Sequence, residues 1–501
     1  MKRILIVALC IVVQLVIYFL VLVGFIEQYN ALRIILSIIS IIIVLEIVTV
    51  NKNLTNKVSW IVLIVLFPVF GSLLYITIGH NLYKSKILKS IKQSIPKSQK
   101  YLKQDKEVLE KIKLKSEEVY GQVKYLADYA KYPIYEANEI KYFPLGEEAY
   151  KVILRELKKA QKFVFIEYFI IADGKMWNEI LEILEEKVKQ GVDVRVIYDD
   201  IGCATSLPDN YDKILEEKGI KCIDFNKLKL VLAVILNNRD HRKILVIDGR
   251  VAFSGGINIA DEYINEKERF GHWKDNAIMV KGEAVWNFTN IFLEIWNAYR
   301  EEKRKYTDYK YDFSNEKLET DGFICPYGEN PLDGEQVGEN VYMNILNQAT
   351  KYCYIFTPYL IIDSEMISAL TLASKRGVDV RIVVPGIPDK KIVYATTKSY
   401  YYMLLEQGVK IYEYTPGFLH SKVFVCDDKI ATVGTLNLDY RSLYLHFECG
   451  TYIFESSVIK DIKKDVIDTI KQSKEVKFEE IKKTKPSFLK NGILRLIAPM
   501  L

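Results

Sequence analysis

Paired cysteines are missing from this chain of 501 residues. Its seven cysteines are scattered along the sequence and form no Cys-x-x-Cys motif. An odd, scattered set excludes both the disulfide framework of a small secreted protein and a structural zinc site. We expect small buried side chains in a reducing compartment at these positions. The cysteines are Cys10, Cys203, Cys222, Cys325, Cys353, Cys426 and Cys449.

A strong net charge is missing as well, because the chain carries only +5. The charge is unevenly distributed: residues 1–120 carry +9, and the rest of the chain carries −4. A nucleic-acid enzyme usually concentrates basic charge on its working domain. Here the basic charge lies beside apolar N-terminal residues, which favours an anionic membrane surface as the partner and disfavours nucleic acid.

Long apolar runs occupy the first 80 residues. Residues 4–26 and 58–79 contain no charged side chain and are long enough to cross a hydrocarbon core as helices. Residues 34–50 are apolar but shorter and interrupted by Glu46, so they either span or pack inside the other two runs. No small-x-small cleavage site follows residue 26, which disfavours a signal peptide. Residues 1–80 are therefore predicted to be a transmembrane region of two or three helices.

Basic side chains around these runs predict the orientation. With three spans, seven basic residues lie on the side of the domains that follow and four lie on the opposite side. Loops rich in Lys and Arg stay in the cytoplasm. We expect a multi-pass protein of the cell membrane whose remaining domains are cytoplasmic.

Three further segments have two interpretations each. Residues 81–135 form a Lys-rich, helix-favouring connector, which is either a solvated linker or a polybasic segment lying on anionic lipid. Residues 481–501 predict an amphipathic C-terminal segment, and residues 228–236 are apolar apart from Lys229 and follow Lys227. Each of these last two either lies in the membrane interface or belongs to an ordinary core.

The rest of the chain repeats one order of signals. A buried strand, an amphipathic helix, a Gly and a second buried strand begin at Phe163 and again at Tyr352. The copies are offset by 186 residues at Val192 and Val378. Alternating strands and helices predict an α/β fold with two pseudo-symmetric lobes, each a mixed sheet flanked by helices. We place the lobes at residues 136–300 and 341–480, with a polar linker at 301–340.

Each lobe contains a His-x-Lys motif that leads into a hairpin. The His and Lys share one face of a strand, because side chains two residues apart point the same way, and an Asp falls at the following turn. The returning strand brings a Gly or Thr and an Asn beside them, which predicts an anion site. The first copy is His241, Lys243, Asp248, Gly256 and Asn258, and the second is His420, Lys422, Asp427, Thr435 and Asn437.

Two such motifs predict phosphoryl transfer. One imidazole attacks phosphorus, and the other moves protons on the leaving and entering alcohols, while the Lys and Asn side chains hold the non-bridging oxygens. A neighbouring ammonium group disfavours a metal ion, so neither metal nor cofactor is expected. Asp275, 34 residues after His241, and Glu448, 28 residues after His420, either accept from an imidazole N–H and fix its tautomer or are surface carboxylates.

The duplicated motif resembles that of the phospholipase D superfamily, His-x-Lys-x4-Asp-x6-Gly-Ser-x-Asn, with Gly256 and Thr435 in place of Ser. Nearly the whole chain is similar to the bacterial cardiolipin synthases. The segments that carry this similarity include Asn238-Arg-Asp-His-Arg-Lys, Gly255-Gly-Ile-Asn-Ile-Ala-Asp-Glu-Tyr, Asn437-Leu-Asp-Tyr-Arg-Ser and the C-terminal Arg495-Leu-Ile-Ala-Pro-Met-Leu.

The resemblance implies a reaction in the bacterial cell membrane. A phosphatidyl group passes between two phosphatidylglycerol molecules, one donor and one acceptor, giving cardiolipin and glycerol without a metal. The His, Lys and Asp of each copy are implied as the active-site set, although strand parity gives the two Asp a structural share. The family pattern favours His241 over His420 as the residue that forms a covalent phosphatidyl-histidine.

Two alternatives to this transferase are open. The first is a membrane-tethered phospholipase D-type phosphodiesterase that uses water as the acceptor. The second is a non-catalytic membrane scaffold, against which the two intact motifs argue.

Overall fold

The computed structural model describes residues 16, 30–49, 54–76, 86–227, 238–300, 304–483 and 487–500. These residues divide into two compact units. The first lies within Met1–Lys86 and Ser487–Leu501, and the second comprises Ile87–Lys227 and Asn238–Pro486.

Three helices make up the described N-terminal part of the first unit: α1 (Asn30–Thr49), α2 (Leu54–Leu66) and α3 (Pro68–Leu74). Ile43, Ile47, Ile64 and Tyr75 form a small buried cluster there. The predicted continuous run 58–79 is divided at Pro68, because a proline has no N–H to continue a helix and favours the first position of a new one.

The predicted transmembrane region is not confirmed by these helices. Within the described ranges, no helix combines the length and the apolar character needed to cross a bilayer. The predicted run 4–26 lies outside the described residues, apart from residue 16.

The connector predicted at 81–135 begins the second unit from Ile87 onward. It forms α4 (Lys86–Gln99), α5 (Lys106–Lys115) and α6 (Glu117–Asp128). Ile91, Ile112 and Val123 are fully buried, and Ser98 donates a 2.6 Å hydrogen bond to Glu294. These helices are therefore packed against the second unit rather than solvated.

A seven-stranded sheet forms the first lobe, with the strand order β2-β9-β7-β6-β3-β4-β5. Strands β3, β4 and β5 are parallel, and the others are antiparallel to their neighbours. The strands are β2 (Glu139–Phe143), β3 (Phe163–Tyr168), β4 (Asp193–Asp199), β5 (Lys221–Phe225), β6 (Lys243–Ile247), β7 (Val251–Gly255) and β9 (Ala277–Lys281). The helices are α7 (Gly146–Leu157), α8 (Lys175–Lys189), α9 (Asp200–Cys203), α10 (Tyr211–Glu217) and α11 (Val285–Tyr299).

A nine-stranded sheet forms the second lobe, with the strand order β1-β10-β19-β17-β16-β11-β13-β14-β20. Its strands are β1 (Tyr135–Glu136), β10 (Phe323–Glu329), β11 (Tyr352–Phe356), β13 (Asp379–Pro385), β14 (Lys410–Tyr414), β16 (Val423–Cys426), β17 (Ile430–Gly434), β19 (Glu448–Phe454) and β20 (Ser473–Glu475). Its helices are α12 (Val337–Gln348), α13 (Ser364–Lys375), α14 (Lys391–Glu406), α15 (Tyr440–Tyr444), α16 (Val458–Lys471) and α17 (Phe478–Lys483).

Two mixed sheets with flanking helices confirm the predicted α/β fold with two lobes. The predicted linker at 301–340 is wrong in part, because every residue of β10 is buried within the second sheet. Helix α11 packs against both β6 and β10, and Asn287 on it donates a 2.7 Å hydrogen bond to the carbonyl of Pro326. The polar composition of residues 301–340 did not indicate strand β10, which belongs to the second lobe and contacts helix α11 of the first.

The C-terminal segment 481–501 ends in helix α18 (Phe488–Ile497) within the first unit. Ser487 caps it, and Leu494 is buried, while Phe488 and Leu489 remain exposed. Ser59 on α2 donates a 2.7 Å hydrogen bond to the carbonyl of Leu496. The predicted amphipathic character is therefore present, whereas the apolar residues 228–236 lie outside the described residues.

Two short parallel pairings join segments from different lobes. Strand β8 (His272–Lys274) pairs with β15 (Gly417–Leu419), and Asp240 forms an isolated bridge with Phe447. A further pair, β12 (Leu360–Ile361) with β18 (Leu438–Asp439), lies within the second lobe. The first two pairings end where the His-x-Lys motifs begin.

Candidate active site

The two motif histidines lie at the places where the lobes meet. The backbone N–H of His420 donates to the carbonyl of Lys274 at 2.7 Å, directly after the β8–β15 pair. The backbone N–H of His241 donates to the carbonyl of Phe447 at 2.9 Å, directly after the Asp240–Phe447 bridge. Each histidine is thus fixed against the edge of the opposite lobe.

Each imidazole contacts a carboxylate from the opposite half of the sequence. Nδ1 of His420 lies 2.7 Å from Oδ2 of Asp275, and Nδ1 of His241 lies 2.8 Å from Oε1 of Glu448. The sequence singled out both carboxylates as partners of an imidazole but counted each from the histidine of its own half. The pairs are exchanged because the strands that carry them pair across the lobes.

The two carboxyl groups differ in charge. Burial alone would raise the pKa of Asp275, but His420, Lys422 and a backbone N–H hold it below its usual value. Burial raises the pKa of Glu448 to about 8, against the effect of Lys243 and two hydroxyl groups. Asp275 is therefore ionised at neutral pH, whereas Glu448 ionises only in mildly alkaline solution.

Both imidazoles are neutral at pH 7. Burial, followed by the charge of Lys422, lowers the pKa of His420 to about 4, and burial with Lys243 lowers that of His241 well below its usual value. With Asp275 ionised, Nδ1 of His420 donates to it and cannot accept from Lys422, although that ammonium lies 2.9 Å away. The lone pair of His420 is then on Nε2, the form that attacks phosphorus or takes a proton.

The motif lysines are buried beside their histidines. Nζ of Lys243 donates to the carbonyl of His241 at 2.6 Å, and Nζ of Lys422 donates to the carbonyl of His420. Burial lowers the pKa of Lys243 to about 8 and that of Lys422 to about 7. A buried ammonium group is stabilised by an anion, so the pair favours a ligand with negative charge.

The predicted phosphate-binding asparagines are not equivalent. Oδ1 of Asn258 accepts from the backbone N–H of Ile170 at 3.0 Å, and its Nδ2 donates to Tyr263 at 2.7 Å. In Asn437, by contrast, Oδ1 is buried and has no hydrogen-bond partner within the described part of the chain. The structure therefore gives Asn258 a loop-fixing contact that its sequence pattern did not predict.

The positions that replace the motif Ser also differ. The Thr435 hydroxyl donates to Oε2 of Glu448 and accepts from the backbone N–H of Cys449 at 2.9 Å. Gly256 occupies the matching place beside Asp275, where an added Cβ would lie 2.0 Å from Oδ1. Thr435 thus supports one carboxyl group, and Gly256 leaves room for the other.

Gly256→Ala is expected to lower activity about 10²-fold, because the methyl group must displace the carboxylate that fixes His420. The measurement is the rate of lipid product formation by the purified variant, with its thermal unfolding recorded alongside. Thr435→Ser, which keeps the hydroxyl on Glu448, is the matched control and should stay within about threefold of the unaltered protein. A fully active Gly256→Ala protein would show that Asp275 is not needed in its present place.

The two motif aspartates lie outside this cluster, at the far ends of the strands. The Asp248 carboxylate accepts from the backbone N–H groups of residues 161–163 at 2.7–2.9 Å. Asp427 does the same for residues 350–352 at 2.7–2.9 Å and also accepts from the Thr350 hydroxyl. The prediction that Asp248 and Asp427 belong to the catalytic set with the His and Lys is therefore corrected. Their carboxylate oxygens instead hold the starts of β3 and β11.

Asp427→Ala is expected to destabilise the fold by about 1–3 kcal/mol, since the N–H groups of residues 350–352 lose their charged acceptor at the start of β11. Burial alone would raise the pKa of Asp427, but those N–H groups hold it below its usual value. Its contribution to stability is therefore present above the ordinary carboxyl pKa and is lost as the pH falls through the lowered one. Thermal unfolding between pH 2 and 7 measures this, and an unchanged unfolding temperature with lost activity would return Asp427 to the chemistry.

Sequence reasoning missed two buried groups beside His241. The Arg239 side chain donates to Asp199 at 2.7–3.0 Å, and its carbonyl accepts from the N–H of Phe447, which fixes the segment before the histidine. The ring of His446 lies 5.7 Å from that of His241. The signal available was the small number of histidines, five in the whole chain. Nδ1 of His272, by contrast, lies 2.9 Å from the Tyr414 hydroxyl.

One group of side chains has the donor atoms for a metal ion. Among the described residues, His241, His446 and Glu448 each offer a ligand atom within 4.8 Å of the other two. Cations around them oppose a metal, because Lys243 acts on both imidazoles and Arg239 and Arg441 act on His446. The geometry suits an anionic substrate better than a cation.

Comparisons with known proteins match both lobes and part of the N-terminal region. A family profile described as "Cardiolipin synthase, PLD-like domain" matches residues 153–296 and 342–469, and one described as "Phospholipase_D-nuclease N-terminal" matches residues 35–80. The Streptococcus mutans relative, an uncharacterized protein, is 46% identical over 91% of this chain and 99% of its own length.

Two cardiolipin synthases are also similar over most of their length. That of Alkalihalophilus pseudofirmus is 34% identical over 95% of this chain and 96% of its own. That of Halalkalibacterium halodurans is 33% identical over 92% of each. The crystal structure of a Haemophilus influenzae phosphatidylserine synthase has a TM-score of 0.57 and 15% identity, covers 76% of this chain and all of that one, and shows a shared fold.

The family resemblance is confirmed by a profile that covers more than half of the chain and by relatives that align along nearly all of it. The chain belongs to the cardiolipin synthase family, with two phospholipase D-like domains.

Proposed function

We propose that this protein is a membrane-bound phosphatidyltransferase that makes cardiolipin and glycerol from two phosphatidylglycerol molecules. The observation that carries the proposal is the pair of buried, neutral imidazoles, each with a carboxyl group on Nδ1 and an ammonium group beside it. Relatives named cardiolipin synthase support the choice of lipid product.

The first half of the reaction breaks the bond between phosphorus and the glycerol headgroup of the donor. Nε2 of one imidazole attacks phosphorus, a P–N bond forms, and the glycerol oxygen leaves with a proton from the other imidazole. Bound phosphodiesters offset the charges of Lys243 and Lys422, so the proton-donating imidazole is more basic with substrate than without it. The lysines then stabilise the charge on the non-bridging oxygens.

The second half reverses these roles. The free hydroxyl of the acceptor phosphatidylglycerol gives its proton to the second imidazole and attacks phosphorus, and the P–N bond breaks. We assign the covalent bond to His241 in preference to His420, following the family pattern. An acid-labile, base-stable lipid label on a His241 peptide supports this assignment, and label on a His420 peptide reverses it.

We infer that the N-terminal region anchors the protein in the bacterial cell membrane, with the two lobes in the cytoplasm. The support is the uncharged run of residues 4–26, the family profile over residues 35–80 and the row of exposed apolar side chains on α1. That row includes Ile38, Ile42 and Leu45. A bilayer location brings the lobes to the headgroups of both substrates.

Purified protein incubated with phosphatidylglycerol vesicles in EDTA tests the function. The expected products are cardiolipin and glycerol in equal amounts. Because one phosphodiester is exchanged for another, cardiolipin with excess glycerol should return phosphatidylglycerol. If phosphatidic acid is the main product in both directions, water is the acceptor and the protein is a phosphodiesterase.

A further inference from the structure

The two halves of the active site differ at one matched position. The N–H of His241 donates to the carbonyl of Phe447, just as that of His420 donates to the carbonyl of Lys274. The residues before these carbonyls, His446 and Trp273, therefore occupy equivalent places. Their rings lie 5.7 Å from His241 and 5.8 Å from His420. A titratable ring thus flanks one motif histidine, and an indole flanks the other.

His446 is buried without using its polar atoms. Its relative exposure is 8%, and neither ring nitrogen has a hydrogen-bond partner among the residues the structure describes. Oε1 of Glu448 lies 3.9 Å from Nδ1, beyond hydrogen-bond distance. An unpaired buried imidazole is costly unless it forms a bond in another state of the site.

The oxygens of Glu448 leave room for that bond. Oε2 accepts from the Thr435 hydroxyl, and Oε1 faces Nδ1 of His241 at 2.8 Å and has capacity for a second donor. In the other half, the remaining oxygen of Asp275 already accepts from the N–H of Asn276 at 2.8 Å. Each carboxyl group thus has a donor at both oxygens, and Oε1 of Glu448 can in addition accept from the unpaired ring of His446.

We propose that His446 is a positioning residue for His241. When Glu448 loses its proton, the ring N–H of His446 closes on Oε1, and this bond keeps Glu448 ionised and the proton of His241 on Nδ1 while attack on phosphorus puts positive charge on the His241 ring. No proton leaves Glu448 or His446 during the attack, because the positive charge arises as the P–N bond forms at Nε2. The inference rests on the proposed function only through the use of His241 in phosphoryl transfer.

The direction of the pH effect follows from Glu448. Burial and the surrounding cations hold the pKa of His446 well below its usual value, so that ring stays neutral above pH 6. Glu448, with a pKa of about 8, must lose its proton before Nδ1 of His241 donates to it, so activity rises with pH through that value. Removing the donor on Oε1 raises this pKa further. The charged groups facing the pair are Lys243 and Asp439 at Glu448, and Arg441, Arg239, Lys243 and Lys390 at His446.

The test is the pH dependence of kcat/KM between pH 6 and 10 for His446→Phe, with Trp273→Phe as the matched control. We expect the rising limb of His446→Phe to move up by about one unit, giving roughly tenfold lower activity at pH 7 and near-normal activity at pH 10. His446→Asn, which keeps an N–H donor, should hold the limb near its original position, and Trp273→Phe should not move it.

An equal loss of activity at every pH in His446→Phe would overturn the proposal and leave His446 a packing residue. If that variant does not fold, His446→Met supplies a second side chain without a donor, and its limb must shift while that of His446→Asn does not. Unaltered protein that releases only phosphatidic acid contradicts the proposed function instead. The pH dependence of kcat/KM, measured as release of phosphatidic acid, still decides the role of His446.

Discussion

His241→Ala and His420→Ala are each expected to lower turnover by about 10⁴-fold or more, with the fold intact. The two imidazoles have different tasks, since one bonds to phosphorus while the other moves protons, and neither can perform both. The measurement is product formation from phosphatidylglycerol vesicles by purified protein, with thermal unfolding to confirm the fold.

His272→Ala is the matched control for this prediction. The His272 ring contacts the Tyr414 hydroxyl in a surface cavity of about 490 Å³ and lies outside the cluster of His241 and His420. This variant should keep activity within about threefold of the unaltered protein. Near-normal turnover in either motif variant would contradict a mechanism that needs both histidines.

The local part of the active site could be predicted because strands have a period of two residues. That period placed Lys243 beside His241 and gave Asp248 the opposite parity. In the structure, Lys243 donates a hydrogen bond to the His241 carbonyl, and Asp248 lies at the far end of β6. Spacing alone was enough because all these residues belong to one hairpin.

The exchange of carboxylates between halves could not be predicted in the same way. It depends on β8 pairing with β15 and on the bridge between Asp240 and Phe447, each of which joins residues more than 140 positions apart. No local pattern encodes such a pairing. Counting from the histidine of the same half therefore gave the right acceptors, Asp275 and Glu448, with the wrong partners.

Polarity misled the prediction of the linker between the lobes. Residues 301–340 have the composition of a loop, yet β10 inside them is buried between β1 and β19. Its seven residues include Pro326, Gly328 and Glu329, none of which favours a strand. Tertiary burial overrode the local preference, and burial is what a single sequence does not report.

Asp275→Asn is expected to lower turnover by about 10³–10⁴-fold, although the side chain keeps its shape. An amide can donate to Nδ1 of His420, which favours the tautomer with the proton on Nε2 and removes the lone pair that attacks phosphorus or takes a proton. Because the oxygen that changes lies in the first half and the histidine in the second, this loss measures the exchanged pairing directly. Nitrogen NMR of labelled histidines should show a changed tautomer for His420 and an unchanged one for His241.

Combining variants separates this effect from general damage, because changes that act through the same group do not add. Asp275→Asn with Gly256→Ala should be no worse than Asp275→Asn alone, since both act on the carboxylate that holds His420. Asp275→Asn with Thr435→Ala should lose further activity, because Thr435 supports Glu448 on the other histidine. If Gly256→Ala adds its full loss to Asp275→Asn, the added methyl group does not act through the Asp275 carboxylate. A changed tautomer at His241 instead of His420 in Asp275→Asn would show that each carboxylate serves the histidine of its own half, and the exchanged pairing would be wrong.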